Sequence, residues 1–244
     1  EGIMNDFVLE NDLIRAVITA PDHKLAEMEG GQLVDVALKS FTMDYIRGIT
    51  TTVKGENIPA YSYNRAEAVN SGYPDNAAAV VLTGTGGESY SIRTEYILRP
   101  DETYIEIVTT LTNLTQTDMT GVSVGDTADW GSCVNFIGNY GVLKPNDTQD
   151  LENLDWFCGF MDNFSAGLTI EKGAIKGRFY QTKSEAVYLE TSLAPGASVT
   201  CSRFLVIADK KLSTISDFAF KKRVSDFGFI TGTVIQPDTN EPIP

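Results

Sequence analysis

The chain has 244 residues, 42% of them hydrophobic and 10% aromatic, enough apolar content for a large core in one domain or two small ones. Against 19 Lys and Arg stand 33 Asp and Glu, a net charge of -14 that opposes binding to nucleic acid or to an anionic membrane surface. The single histidine excludes a histidine-rich metal centre, and no apolar run approaches the roughly 18 to 20 residues that span a bilayer, so no membrane insertion is expected.

Apolar and polar residues alternate with period two, which sends successive side chains to opposite faces of a strand. The alternation predicts strands over residues 7–10, 13–19, 32–39, 78–83, 89–98 and 104–112, then over 167–171, 175–180, 186–190 and 198–208. These runs are rich in Val, Ile, Thr and Tyr and are bounded by Gly, Pro, Asn and Asp, which points to antiparallel pairing. One helix is expected over residues 213–223: Ser213 can cap it, and Ile215, Phe218 and Ala219 recur at helical spacing. Lys221, Lys222 and Arg223 sit at the negative end of its dipole. The fold class is therefore all-β, a large antiparallel two-sheet sandwich with one short C-terminal helix. Residues 1–226 read as one domain, and residues 227–244 as a linker and the first strand of a truncated following β-module. The chain is read as a piece of a longer polypeptide.

Two stretches break the rhythm. Residues 48–76, with three tyrosines and several turn formers, are expected to be a loop excursion over one edge. The second stretch, residues 125–163, holds both tryptophans, Trp130 and Trp156, and two of the three cysteines, Cys133 and Cys158. Residues 101–163 carry 11 acidic side chains and one basic one, Lys144, and so hold 10 of the 14 net negative charges. Any functional surface is expected here. Trp130, Asn135, Phe136, Tyr140 and Trp156 are the candidate ligand-binding residues. Flat rings cover the C–H faces of a sugar, while amides and carboxylates take its hydroxyls. The competing reading is that the rings anchor a long loop.

Asp126 and Asp129 lie three residues apart in a glycine-bounded segment and are the candidate metal ligands. Calcium takes six to eight oxygens, which Asn135, Asp147, Asp150 and backbone carbonyls could complete, although the spacing matches no EF-hand loop. Calcium is the one candidate ion, and no cofactor is otherwise required. Cys133 and Cys158 could close a disulfide in an exported protein, or all three cysteines could stay free, with Cys201 on an apolar strand face beside Val199, Leu205 and Ile207. Gly121-Val122-Ser123-Val124-Gly125 has the spacing of a hydrolase nucleophile elbow. No helical period follows it and His23 precedes it, so it reads as strand. Gly84-Thr85-Gly86-Gly87 runs into further strand alternation and reads as a hairpin turn, not a phosphate loop. His23 reads as a solvated turn residue.

Several segments together resemble the galactose mutarotase-like β-supersandwich superfamily. They are residues 7–18, residues 30–36, and above all Arg93-Thr94-Glu95-Tyr96-Ile97-Leu98-Arg99-Pro100 running into residues 108–113. Residues 193–198 resemble the closing hairpin of the same fold, and residues 228–244 are similar to the opening of carboxypeptidase-regulatory-like β-sandwich modules. The resemblance implies either a sugar epimerase, with a histidine acid and a glutamate base, or an accessory domain of a polysaccharide-processing enzyme. Glu185 and Glu190 lie roughly where the base would stand, but the mid-chain histidines of that pattern are missing and His23 matches no catalytic position. The expectation is a non-catalytic carbohydrate-binding or structural domain of an exported or surface multidomain bacterial protein, extracellular, cell-surface or periplasmic. Its partners would be carbohydrate or neighbouring domains of the same chain. An epimerase or polysaccharide lyase on the same scaffold is the alternative.

Overall fold

The computed structural model describes residues 5–24, 29–40, 46–56, 58–70 and 73–223. Its strands are β1 (Phe7–Glu10), β2 (Ile14–Ile18), β3 (Leu33–Leu38), β4 (Gly48–Lys54), β5 (Ser62–Val69), β6 (Ala78–Gly86), β7 (Tyr90–Leu98), β8 (Tyr104–Asn113) and β9 (Met119–Asp129). They continue with β10 (Val134–Ile137), β11 (Gly141–Val142), β12 (Thr148–Leu154), β13 (Trp156–Met161), β14 (Phe164–Ile170), β15 (Ile175–Tyr180), β16 (Lys183–Leu193) and β17 (Ser198–Ala208). One helix follows, α1 (Leu212–Arg223).

All strand pairs are antiparallel and form two sheets, as the alternation predicts. The eight-stranded sheet has the order β1-β2-β3-β4-β9-β16-β15-β12, and the nine-stranded sheet the order β11-β10-β13-β14-β17-β8-β7-β6-β5. On β9 the even-numbered residues Val122, Val124 and Ala128 are buried, while Ser123, Thr127 and Asp129 face outward. Ile14, Ile18, Leu33 and Ile49 of the first sheet meet Leu82, Ile105, Leu168 and Leu205 of the second in one continuous core. Removing apolar side chains of this size from water contributes about 1.5–3 kcal/mol each. Gly84 and Gly86 end a true hairpin: β6 pairs with β7 throughout, and Gly87 turns the corner at φ 57°.

Two expectations are corrected. Residues 48–76 hold β4 and β5, not a loop alone. Apolar alternation is weak there because β5 is an edge strand with only Tyr63 buried, and because one inward position of β4 is Thr51, which is buried for its hydrogen bonds. Residues 125–163 hold the end of β9 and all of β10 to β13. Here β12 is a polar edge strand, while β13 is buried on both faces because α1 lies over its outer side, so neither alternates.

The helix α1 packs Ile215 and Ala219 onto Trp156, Cys158, Phe204 and Val206, on the outer face of the nine-stranded sheet. Gly167 makes that approach feasible, since a Cβ there would stand 2.5 Å from Ile215. The ammonium of Lys222 lies over the rings of Phe204, Tyr104 and Phe218 at 4.6, 5.3 and 5.5 Å, a cation–π contact that fixes the last turn. Residues 227–244, expected to begin a following module, lie outside the described residues.

Candidate functional site

The outward face of the eight-stranded sheet carries a groove of about 420 Å³ between β4, β16, β15 and β12. Its shape comes from β16. Gly125 of β9 and Gly177 of β15 flank this strand, and Cβ atoms there would stand 1.9 Å from the Ala186 oxygen and 2.1 Å from the Glu185 oxygen. Two missing side chains thus let three strands draw unusually close, and a register shift between Val187 and Leu189 adds further bend. Around this floor the outward positions are charged. Arg178 donates through Nε and Nη2 to Asp150 at 2.8 and 3.1 Å, and the Lys54 ammonium stands 3.9 Å from Glu185. Lys176 donates to Glu190 at 2.6 Å, at the groove's margin. Arg178 holds the Asp150 carboxyl below its ordinary value through its hydrogen bond first and its charge second. These groups are largely exposed, so their pairs are weak and a ligand's polar groups can replace them. Among the described residues, no aromatic ring and no imidazole lines the groove.

The expected calcium ligands do not share a site. Asp126 points inward and Asp129 outward from β9, and strand geometry places residues three apart on opposite faces. Asp126 is fully buried, and Arg203 of the opposite sheet grips it through Nε at 2.6 Å and Nη2 at 2.7 Å. The remaining Arg203 donors reach Thr51 Oγ1 at 2.6 Å, Thr109 Oγ1 at 2.9 Å and the Ile107 carbonyl at 3.4 Å, so the guanidinium's whole fork is engaged. Burial pushes the Asp126 carboxyl up and Arg203 draws it back. Thr94 and Tyr63 extend the network, with Thr94 Oγ1 3.1 Å from Thr109 and 2.7 Å from the Tyr63 hydroxyl. Asp129 accepts from the Gly131 backbone N–H at 3.0 Å and lies 3.6 Å from Lys183. Among the described residues, no three His, Cys, Asp or Glu side chains converge as a metal site.

The five expected ligand residues fall into three environments. Trp130 is wholly buried between the sheets, donating its indole N–H to Ser184 Oγ at 2.9 Å and meeting Phe157 edge to face. Asn135, also fully buried, ties down the β15–β16 turn. Its backbone N–H donates to the Gln181 carbonyl at 2.6 Å, and its Nδ2 lies within 3.1 Å of the Tyr180 and Lys183 carbonyls. Phe136 and Trp156 stack at 5.6 Å on the outer face of the nine-stranded sheet, close to α1. Tyr140 is exposed. Only Tyr140 presents its ring openly to solvent.

The other sequence candidates are structural. All three cysteines are free and buried. Phe136 of β10 is the register partner of Cys158, whereas Cys133 lies just before β10 with its side chain in the inter-sheet core, and the side chain of Cys158 lies under α1. Ser123 lies mid-strand in β9 and approaches the Lys54 carbonyl at 3.4 Å. His23 is not a solvated turn residue: its Nδ1 lies 2.8 Å from both carboxylate oxygens of Asp6, and this pair closes the turn after β2. Lys54, Lys176 and Arg178 are not among the sequence candidates, and Asp150 is there only as a further oxygen donor to calcium. Their signal was charge at alternating positions, as at Lys176 and Arg178 of β15, visible only once strand direction is known.

No protein-family model and no curated protein matches the sequence. Solved structures do. A GH36 alpha-galactosidase, AgaA from Geobacillus stearothermophilus, superposes with a TM-score of 0.60 at 11% identity, over 87% of this chain and 42% of its own. The galactose mutarotase related enzyme of Lactobacillus acidophilus gives 0.50 at 12% identity, over 85% and 98% of the two chains. A putative aldose 1-epimerase from Escherichia coli K12 gives 0.53 at 9% identity, over 84% and 99%. The chain has the galactose mutarotase-like β-sandwich fold. At such identities the likeness concerns the fold alone. This mutarotase-like sandwich spans nearly the whole of the two epimerase-type chains and less than half of the galactosidase.

Proposed function

We propose that this mutarotase-like sandwich is a non-catalytic carbohydrate-binding domain of an exported, multidomain bacterial protein, and that it contacts its ligand through the open face of the eight-stranded sheet. The observation that carries the reading is the glycine-shaped groove over β16, ringed by Lys54, Asp150, Lys176, Arg178 and Glu185. Donors and acceptors alternate across it, which suits a ligand rich in hydroxyls, and their pairing to one another is easily exchanged. Epimerisation at a sugar ring needs an acid and a base of matched pKa facing one ligand position. In this groove each carboxylate of Asp150 and Glu185 stands beside a cation, and His23 is held by Asp6 outside the lining.

The second reading, an enzyme on the same scaffold, rests on Glu185, which lines the groove and stands late in the chain, roughly where the resemblance would have a general base. A glycan array followed by calorimetric titration separates the two. The binding reading expects saturable binding that is weakened about tenfold or more by Arg178→Ala, with no acceleration of anomer interconversion in polarimetry. Interconversion of galactose or glucose anomers that disappears in Glu185→Gln establishes the enzyme instead. No binding to any glycan rejects the carbohydrate assignment.

A further inference from the structure

A second concavity lies on the other side of the molecule, where α1 meets the β10–β11 connection. It measures about 240 Å³ and is walled by Trp156 and Phe220, with Gly138, Asn139, Asp155 and Ser216 completing its rim. Three features make it more than a packing gap. Phe220 faces solvent from α1 with 51% of its surface exposed, although the apolar side of the helix is turned the other way, onto the sheet through Ile215 and Ala219. Gly138 keeps one wall open: a Cβ there would stand 3.0 Å from Trp156 Nε1, so any side chain would crowd the indole N–H edge. Asp155, the one carboxylate on the rim, is neutralised by Arg223 at 2.9 Å, and Arg223 is itself anchored to the Gly173 carbonyl at 2.8 Å.

We propose that this pocket is a second binding site, for a single uncharged, hydroxyl-rich ring such as a pyranose. The Phe220 ring offers apolar cover for C–H surfaces, while the Trp156 indole N–H edge, the Asn139 amide, the Ser216 hydroxyl and the Asp155 carboxylate offer hydroxyl partners. Because Arg223 already balances Asp155, the pocket has no net charge to attract an ionised ligand. The site is on the opposite sheet from the groove over β16, so it stands or falls independently of the function proposed above.

The test is saturation-transfer NMR and titration of the 244-residue chain with methyl β-glucoside, methyl β-galactoside and glucuronate. For one aromatic-walled subsite the expected dissociation constant is in the millimolar range, on the order of 1 mM or weaker. Measured in an Arg178→Ala background, where the groove over β16 no longer contributes, binding should weaken at least about fivefold when Phe220→Ala or Asn139→Ala is added. Both residues are exposed, so an unaltered melting temperature confirms that each variant folds. Methyl glycosides that bind this background equally well with and without Phe220→Ala or Asn139→Ala overturn the proposal. So does absence of binding to the wild type, or a stronger response to glucuronate than to the neutral glycosides.

Discussion

Arg203 with Asp126 and Arg178 with Asp150 are the same chemical pair, each joined by two charge-assisted contacts of 2.6 to 3.1 Å, yet they do opposite things. In the first pair both side chains are 0% exposed; in the second they are 53% and 69% exposed. Between the sheets no water is available to replace a lost partner, so every donor of Arg203 must be met by protein, and Thr51, Thr109 and the Ile107 carbonyl are there to meet them. Such a group fixes how the two sheets face one another, because only one alignment satisfies it. On the open face water can substitute for either partner, so Arg178 and Asp150 are free to exchange each other for a ligand. Geometry alone would rank the two pairs alike, and burial separates structure from candidate function.

The sharpest way to break this contrast is to remove one buried partner. Asp126→Ala strands a guanidinium in the core and is expected to cost about 3–5 kcal/mol. For a domain of this size that lowers the melting temperature by about 6–20 °C. Asp126→Leu combined with Arg203→Met, which deletes both charges, should be less damaging than Asp126→Ala alone. A double variant as unstable as the sum of the two single changes would show zero coupling, so that the two side chains act independently and the contrast with the open face fails.

A smaller effect should appear at alkaline pH. Burial pushes the thiols of Cys133 and Cys201 up to about 12 and about 11, and the Tyr90 hydroxyl up to about 12. In the unfolded chain these groups ionise near 8.5 and 10. Their folded values are raised, so the stabilisation is complete below the unfolded values and is lost as pH rises: the unfolded state releases its protons first. Denaturation midpoints should therefore fall steadily between about pH 9 and 12. For the same reason a thiol reagent at pH 8 should find no reactive cysteine until the protein unfolds. The smallest effect is expected on the open face, where Arg178→Ala should leave the denaturation midpoint unchanged while weakening ligand binding. A measurable loss of stability there would make the groove pairs structural.

The two inward charges had a legible signature. Val199, Cys201, Leu205 and Ile207 mark one apolar face of β17, and Arg203 is the position at which that face is interrupted. On β9 Asp126 interrupts Val122, Val124 and Ala128 in the same way. A charge at an inward position announces a partner on the facing sheet, but the sequence does not say which residue it is, since Arg203 and Asp126 are 77 positions apart. The aromatic residues misled for a related reason. Their density in residues 125–163 reads as one surface, whereas successive residues of a strand face opposite ways. Thus Phe157 enters the inter-sheet core, its neighbour Trp156 lies under α1, and Tyr140 falls in a turn.

The sequence by itself determined the all-β class, the C-terminal helix and most of the long strands. These follow from period-two burial and end signals, which are local properties of a chain with one wet face and one dry face. The polar edge strand β12, the half-exposed β5 and the doubly covered β13 escaped, because what covers each of them comes from elsewhere in the chain. Only the tertiary structure decided which charges are interior bolts and which line a groove, where Gly125 and Gly177 admit the close approach of β16, and which tryptophan borders a surface pocket. Each of those depends on register and on neighbours that are distant in sequence, and burial by such neighbours sets whether a charged side chain holds the fold together or remains free to bind.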